Sequence, residues 1–136
     1  LERISEHLKP DGVFICTLQN PEVRLKTADG ITRKLGEFKL DEDKKMTVSS
    51  SNKFNPDTGI VSGFQLYEIY DASGTLTEKR ILEINIRPDS YPEFKKLITC
   101  AGMEISEIYG DYSKNGFIEE TSDFMICKLR KKSISL

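Results

Sequence analysis

Apolar positions recur along this chain with two different periods, and the change of period divides it. Leu1, Ile4 and Leu8 fall at i, i+3 and i+7, one stripe of a helix. Lys9-Pro10-Asp11-Gly12 ends that helix in a tight turn, because proline cannot continue it and glycine tolerates a positive φ. Residues 13 to 18 are then nearly all apolar, which predicts a strand buried on both faces, as in a parallel sheet covered by helices. Gln19-Asn20-Pro21 closes the strand and turns into a loop. The helical stripe is already running at the first residue, with neither a methionine nor a Ser/Thr/Asp/Asn cap before it. That opening predicts a fragment of a longer protein.

From residue 23 to residue 87 the period shortens to two. Lys34–Leu40, Met46–Ser51, Gly59–Tyr70 and Leu76–Ile86 alternate roughly, and turn clusters at Asn55–Gly59 and Asp71–Gly74 separate the later ones. In the last segment Leu76, Arg80, Leu82, Ile84 and Ile86 share one side, while Thr77, Lys79, Glu83, Asn85 and Arg87 share the other. Ile81 is the exception, an apolar residue on the polar side. One side buried and one wet predicts an antiparallel meander. A second helix follows: Ser90 and Glu93 have capping-box spacing, Pro92 lies in the first turn, and Phe94, Leu97, Ile98 and Ala101 form the apolar face. Gly102 caps it. Two strands, from Met103 and from Phe124, finish the chain around a polar loop at Gly110–Ser122, and the last dissolves into Arg130-Lys131-Lys132.

These elements predict an α/β layered architecture. Its parts are an incomplete α/β core of residues 1–22 and 88–132, an inserted antiparallel sheet of residues 23–87 and a tail of residues 133–136. Composition then removes several classes of function. The chain has 136 residues, 31% of them charged, and a net charge of -2, so no clustered basic face marks a nucleic-acid partner. Apolar runs of four or five residues fall far short of the ~20 needed to cross a bilayer, and Glu2, Glu6 and Lys9 interrupt any signal-peptide core. Cys16, Cys100 and Cys127 are far apart, odd in number and in apolar contexts, which predicts reduced, buried thiols in the cytoplasm. With His7 the single histidine and no CxxC spacing, no metal site is expected. Asp41–Asp43 and Glu119-Glu120 are charge runs expected to face water, so no acid/base pair stands out.

Three stretches in order resemble a family. Leu8-Lys9-Pro10-Asp11-Gly12-Val13-Phe14-Ile15 is similar to the turn and fifth strand of class I S-adenosylmethionine-dependent methyltransferases. Arg87, then Glu93-Phe94, then Ala101-Gly102-Met103-Glu104-Ile105 resembles that family's late helix and the strand after it. Tyr109-Gly110-Asp111-Tyr112 with Ser122–Lys128 resembles the final hairpin of its small-molecule members. The resemblance runs along the whole chain but onto the C-terminal half of a Rossmann-like catalytic domain, with the meander as an insertion on the substrate side.

The family holds its cofactor with a glycine-rich turn after the first strand and an acidic residue at the end of the second. No GxG occurs here, and the nearest pair, Gly59 and Gly63, lies in the meander as a turn or bulge. The resemblance therefore implies S-adenosylmethionine for the intact enzyme only, no cofactor-binding or catalytic residue in this chain, and a small-molecule substrate. Asn20 follows the carboxyl end of a strand, where ligands collect in open α/β sheets, and Arg24 lies near enough to meet an anionic group. Tyr67, Tyr70, Asn85 and Arg87 are candidates to line a lid, and Tyr112 to reach the cleft from its loop. Structural readings stand beside these: a plain turn at Asn20, a solvated Arg24, sheet-packing Tyr67 and Tyr70, a salt bridge from Arg87 to Asp89 or Glu93, and a structural or exposed Tyr112.

Two functional readings follow. One is the substrate-facing portion of a small-molecule methyltransferase. The other is a non-catalytic α+β ligand-binding or dimerisation module. Under the first, the strand at 13–18 lacks its parallel neighbour, and self-association through that exposed edge is expected.

Overall fold

The computed structural model describes residues 1–133, so most of the expected tail at 133–136 lies outside the described residues. The chain forms two compact units: Leu1–Arg24 with the residues from Asp89 onward, and Leu25–Pro88.

The first unit contains helix α1 (Glu2–His7), strand β1 (Val13–Gln19) and the short helix α2 (Pro21–Arg24). After the inserted unit it resumes with α3 (Tyr91–Cys100), β6 (Met103–Tyr109) and β7 (Phe124–Lys131). Its sheet has the order β1-β7-β6, antiparallel throughout. Ser90 caps α3 as the spacing predicts: its side chain accepts from the Glu93 amide, and the Glu93 side chain accepts from the Ser90 amide. Such a box satisfies two of the helix's orphan donors. Phe94 and Ile98, four residues apart, then face Met103, Met125, Cys127 and Leu129, and Phe14, Cys16 and Leu18 complete the core. Each fully buried Ile, Met or Leu there contributes about 1.5–3 kcal/mol of burial.

The structure changes the reading of β1. The strand alternates, with Phe14, Cys16 and Leu18 turned to the core and Val13 and Ile15 exposed, the latter at 64%. Its neighbour β7 is antiparallel, its other edge carries no strand among the described residues, and the face covered by α3 is the buried one. Leu97 likewise lies outside the helix's buried stripe, 47% exposed, because Phe94 and Ile98 already meet the sheet. Cys100, at the last turn of α3, is also exposed, contrary to the expectation for all three thiols. The basic end of the chain is more ordered than expected: β7 continues to Lys131, because Arg130 pairs with Val13 and Lys131 with Met103.

The second unit is a meander of β2 (Arg33–Lys39), β3 (Lys45–Asn55), β4 (Ile60–Tyr70) and β5 (Leu76–Ile86), paired in chain order. Tight turns impose the order. Gly59 at φ +70 and Gly74 at φ +82 take up left-handed positions, and the Gly59 amide donates to the Asn55 carbonyl at 2.8 Å. Gly63 serves a different purpose: a Cβ there would stand 1.9 Å from the Ser51 carbonyl oxygen, so only glycine lets β3 and β4 approach. Burial concentrates on β3 and the start of β4, at Val48, Ser50, Ser51, Asn52 and Val61. The outer strand β5 is exposed on both sides, Leu82 at 54% and Ile81 at 63%, where one buried side was expected. Alternation set its pleat, but an edge strand has cover on one flank only.

Candidate functional site

Asn20 is the most enclosed of the candidate residues, at 1% exposure. Proline at position 21 has no amide to lose at the first helical position, so Asn20 acts as cap to α2. Its carbonyl accepts from Val23 and Arg24, and its side-chain oxygen accepts from the Glu22 amide at 3.2 Å. Its Nδ2 donates at 2.7 Å to the carbonyl of Glu119 and at 2.7 Å to that of Ser122, while its own amide donates to Asp123. The segment after β1, expected as a loop, is thus a capped helical turn bolted to the chain before β7. Arg24 is half-buried at the end of that turn.

The same loop carries Tyr112, 73% exposed, whose ring tilts against Phe124 with centroids 5.4 Å apart. Tyr112 lines a concavity of about 260 Å³ on the uncovered face of the sheet, together with Ile15, Tyr109, Ile126, Glu107 and Lys128. Lys128 donates to Glu107 at 2.7 Å, and the Tyr109 hydroxyl donates to the same carboxylate. Those two donors hold the Glu107 carboxyl below its ordinary range, while the carboxylate raises both the Lys128 ammonium and the Tyr109 hydroxyl. Register explains the cluster: Glu107 lies opposite Lys128 and Tyr109 opposite Ile126, so all four share one face. Period-two parity places Glu107 and Tyr109 together in the sequence, but their partner strand lies beyond a polar loop.

The meander's candidates are spread out. Tyr67 lines a concavity of about 560 Å³ with Leu40, Met46, Ile69, Arg80 and Leu82, and its hydroxyl donates to Gln65 at 2.8 Å. Tyr70, three residues on, belongs to the other face and pairs with Lys45 beside the hairpin turn. Asn85 lies opposite Ser62 near the far end, accepting its hydroxyl proton at 2.8 Å, and Arg87 follows the last residue of β5 beside Gly59. The fold brings Tyr67 together with Met46 and Arg80, and separates it from Tyr70 and Arg87. Asn52 was not anticipated. It is buried at 7% exposure, its Nδ2 donates to Ser50 at 2.9 Å, and its Oδ1 has no hydrogen-bond partner. Its signal in the sequence was faint, a polar residue at an inward position of an alternating strand.

Chemically these surfaces offer aromatic, apolar and charged groups. No three His, Cys, Asp or Glu side chains gather to hold a metal among the described residues. His7 is exposed and its Nδ1 lies 2.7 Å from the Arg3 carbonyl. A dinucleotide-type cofactor needs a glycine turn running from a parallel strand into a helix. Every strand pair among the described residues is antiparallel, and the positive-φ glycines sit in the turns around Gly30, Gly59 and Gly74 and at the end of α3. The described residues do not fit such a group.

No protein-family model and no curated protein matches the chain. Solved structures do. An S-adenosylmethionine-dependent methyltransferase from Clostridium acetobutylicum superposes with a TM-score of 0.73 at 18% identity, over 97% of this chain and 49% of that one. The CcbJ methyltransferase from Streptomyces caelestis gives 0.62 at 20% identity, over 96% and 51%. CalS10, an amino pentose methyltransferase from Micromonospora echinaspora solved with S-adenosylmethionine bound, gives 0.60 at 16%, over 93% and 48%. The chain spans about half the length of the solved structures it matches. Its fold is therefore part of a Rossmann-like α/β methyltransferase fold, with an inserted antiparallel meander.

Proposed function

We propose that this chain is the C-terminal, substrate-facing portion of an S-adenosylmethionine-dependent methyltransferase acting on a small molecule. The observation that carries the reading is the fold match, which takes in nearly the whole of this chain and about half of each methyltransferase. S-adenosylmethionine, held outside this chain, would supply the methyl group in the intact enzyme, and the part left to this chain is to position the substrate, which supplies much of the rate of such transfers. That suits surfaces with aromatic rings, apolar side chains and fixed charges but no acid/base pair. Asn20 holds the turn after β1 against the loop bearing Tyr112, so these residues, with Arg24, form one candidate substrate wall. In the meander, Tyr67 supplies an aromatic wall, and Tyr70, Asn85 and Arg87 stand as further lid candidates. Reduced thiols fit a cytoplasmic enzyme.

The coding sequence upstream of Leu1 tests this. A strand followed by a GxGxG-like turn, roughly 70 to 110 residues before Leu1 on the family pattern, supports the proposal; an unrelated domain there refutes it. Titration calorimetry of this chain with S-adenosylmethionine should give a flat trace, since the residues present do not fit the cofactor. The exposed outer strand β5 favours a second reading, a non-catalytic binding or dimerisation module, and the same upstream sequence separates the two.

A further inference from the structure

The outer edge of the meander is self-complementary in a way the methyltransferase reading does not require. β5 is 11 residues long, and every residue from Leu76 to Glu83 is exposed. Its register with β4 is unbroken from Glu78 to Ile86, so the free edge is straight over nine residues. Exposed edges of this kind template pairing, and proteins normally blunt them with bulges or short strands. The opposite edge, β2, is blunted in that way: it has seven residues and a register shift between Lys34 and Gly36.

A two-fold axis perpendicular to the sheet keeps each face on its own side, so it must pass through a residue of β5 rather than between two. The strand's own sequence then selects the residue. Centring on Lys79, Arg80 or Glu83 sets two like charges directly opposite, which is destabilising. Centring on Leu82 sets Glu83 against Ile81, and centring on Ile84 pairs only residues 82–86 of the strand. Centring on Ile81 pairs all eleven residues of the strand, sets Ile81 against its own copy with two Lys79–Glu83 pairs on the same face, and leaves Arg80 opposite Leu82 on the other face. Neither Lys79 nor Glu83 has a salt-bridge partner among the described residues, whereas Arg80 already pairs with Glu78. The apolar residue that interrupts the polar side of β5 thus falls on the symmetry axis, at 63% exposure in the isolated chain.

We infer that two copies of this chain pair antiparallel through β5, about a two-fold axis at Ile81, joining their meanders into one continuous eight-stranded sheet. The second copy is the occupant because the complementarity is the strand's own. The free edge of β1 is the competing seam, but Val13–Gln19 carries no charge, so nothing on it selects a register.

Sedimentation equilibrium of the full chain should show a reversible dimer. Lys79→Glu and Glu83→Lys, each placing like charges opposite, should each raise the dimer dissociation constant at least about tenfold. The double swap should restore it. All four residue states sit on exposed positions, and thermal melts should confirm that each variant stays folded. In a Cys100→Ser background, Ile81→Cys should oxidise to a covalent dimer, because opposed Cα atoms at about 4.5–5.5 Å lie within disulfide reach. A monomer at all concentrations overturns the inference. So does a double swap that fails to restore pairing, or covalent capture through Ile15→Cys but not through Ile81→Cys. None of these outcomes bears on the upstream sequence, so the dimer and the methyltransferase reading stand or fall separately.

Discussion

Asn20 and Ser122 lie 102 positions apart in the chain, and a 2.7 Å hydrogen bond from the Asn20 side-chain Nδ2 to the Ser122 carbonyl joins them. With the matching bond to Glu119, one side chain fixes the end of β1 to the loop that carries Tyr112. Replacing Asn20 with alanine strands two carbonyls and removes the cap of α2. The expected loss is about 2–4 kcal/mol, read by urea unfolding. Aspartate should be no better, since it has no N–H to donate. A loss under about 0.5 kcal/mol would mean that the loop does not depend on this side chain.

The other buried asparagine should behave differently. Asn52 keeps one bond, to Ser50, and carries an orphaned acceptor. Removing an unsatisfied acceptor returns part of what the lost bond costs. Asn52→Ala should therefore destabilise by about 1 kcal/mol or less, clearly below Asn20→Ala in the same unfolding experiment.

Gly63 should tolerate no side chain. A Cβ 1.9 Å from the Ser51 carbonyl meets backbone, which cannot swing aside. Gly63→Ala should cost about 1–3 kcal/mol or more. Gly116→Ala, where nothing lies within 4 Å, supplies the matched control with a negligible change.

Cys16 and Cys127 face each other across β1 and β7 and share a thiol hydrogen bond, which lowers the Cys16 thiol and raises the Cys127 thiol; burial raises Cys127 further. Cys100 is exposed at the end of α3. A thiol reagent on the native chain should label one cysteine fast and the remaining two only as the protein opens. Peptide mapping of the fast product should return Cys100; fast labelling of Cys127 would contradict the core described above.

Acid should weaken the fold at its surface. Asp29, held down by Arg33, Glu37 by Lys34 and Lys45, and Glu107 by Lys128 and Tyr109 all have depressed folded-state values. Groups depressed on folding contribute above their unfolded values and lose that contribution as pH falls through the folded ones. Stability should be flat near neutral pH and decline below about pH 4, and added salt should shrink the change because these pairs are solvent-exposed.

Much of the fold was legible in local pattern. The capping box at Ser90 and Glu93, the turn glycines at Gly59 and Gly74, and the alternation from Lys34 to Ile86 depend on neighbours a few residues apart. Those interactions are the same in any tertiary setting, so residue order alone determines them. Strand burial was not legible in the same way. The apolar run at Val13–Leu18 and the alternating run at Leu76–Ile86 each specify a pleat, but not how many layers press on it. The candidate surfaces divide along the same line. Tyr67 and Ile69 share a face by parity, yet Arg80 joins them only through the β4–β5 register. Asn20 read from sequence as a turn residue or a ligand contact; its clamp on Glu119 and Ser122 exists only once β7 has returned beside β1. What residue order settled was each element, its caps and its pleat. Tertiary structure alone decided which faces were covered and which distant groups met, because closing a long loop depends on the whole core rather than on any segment within it.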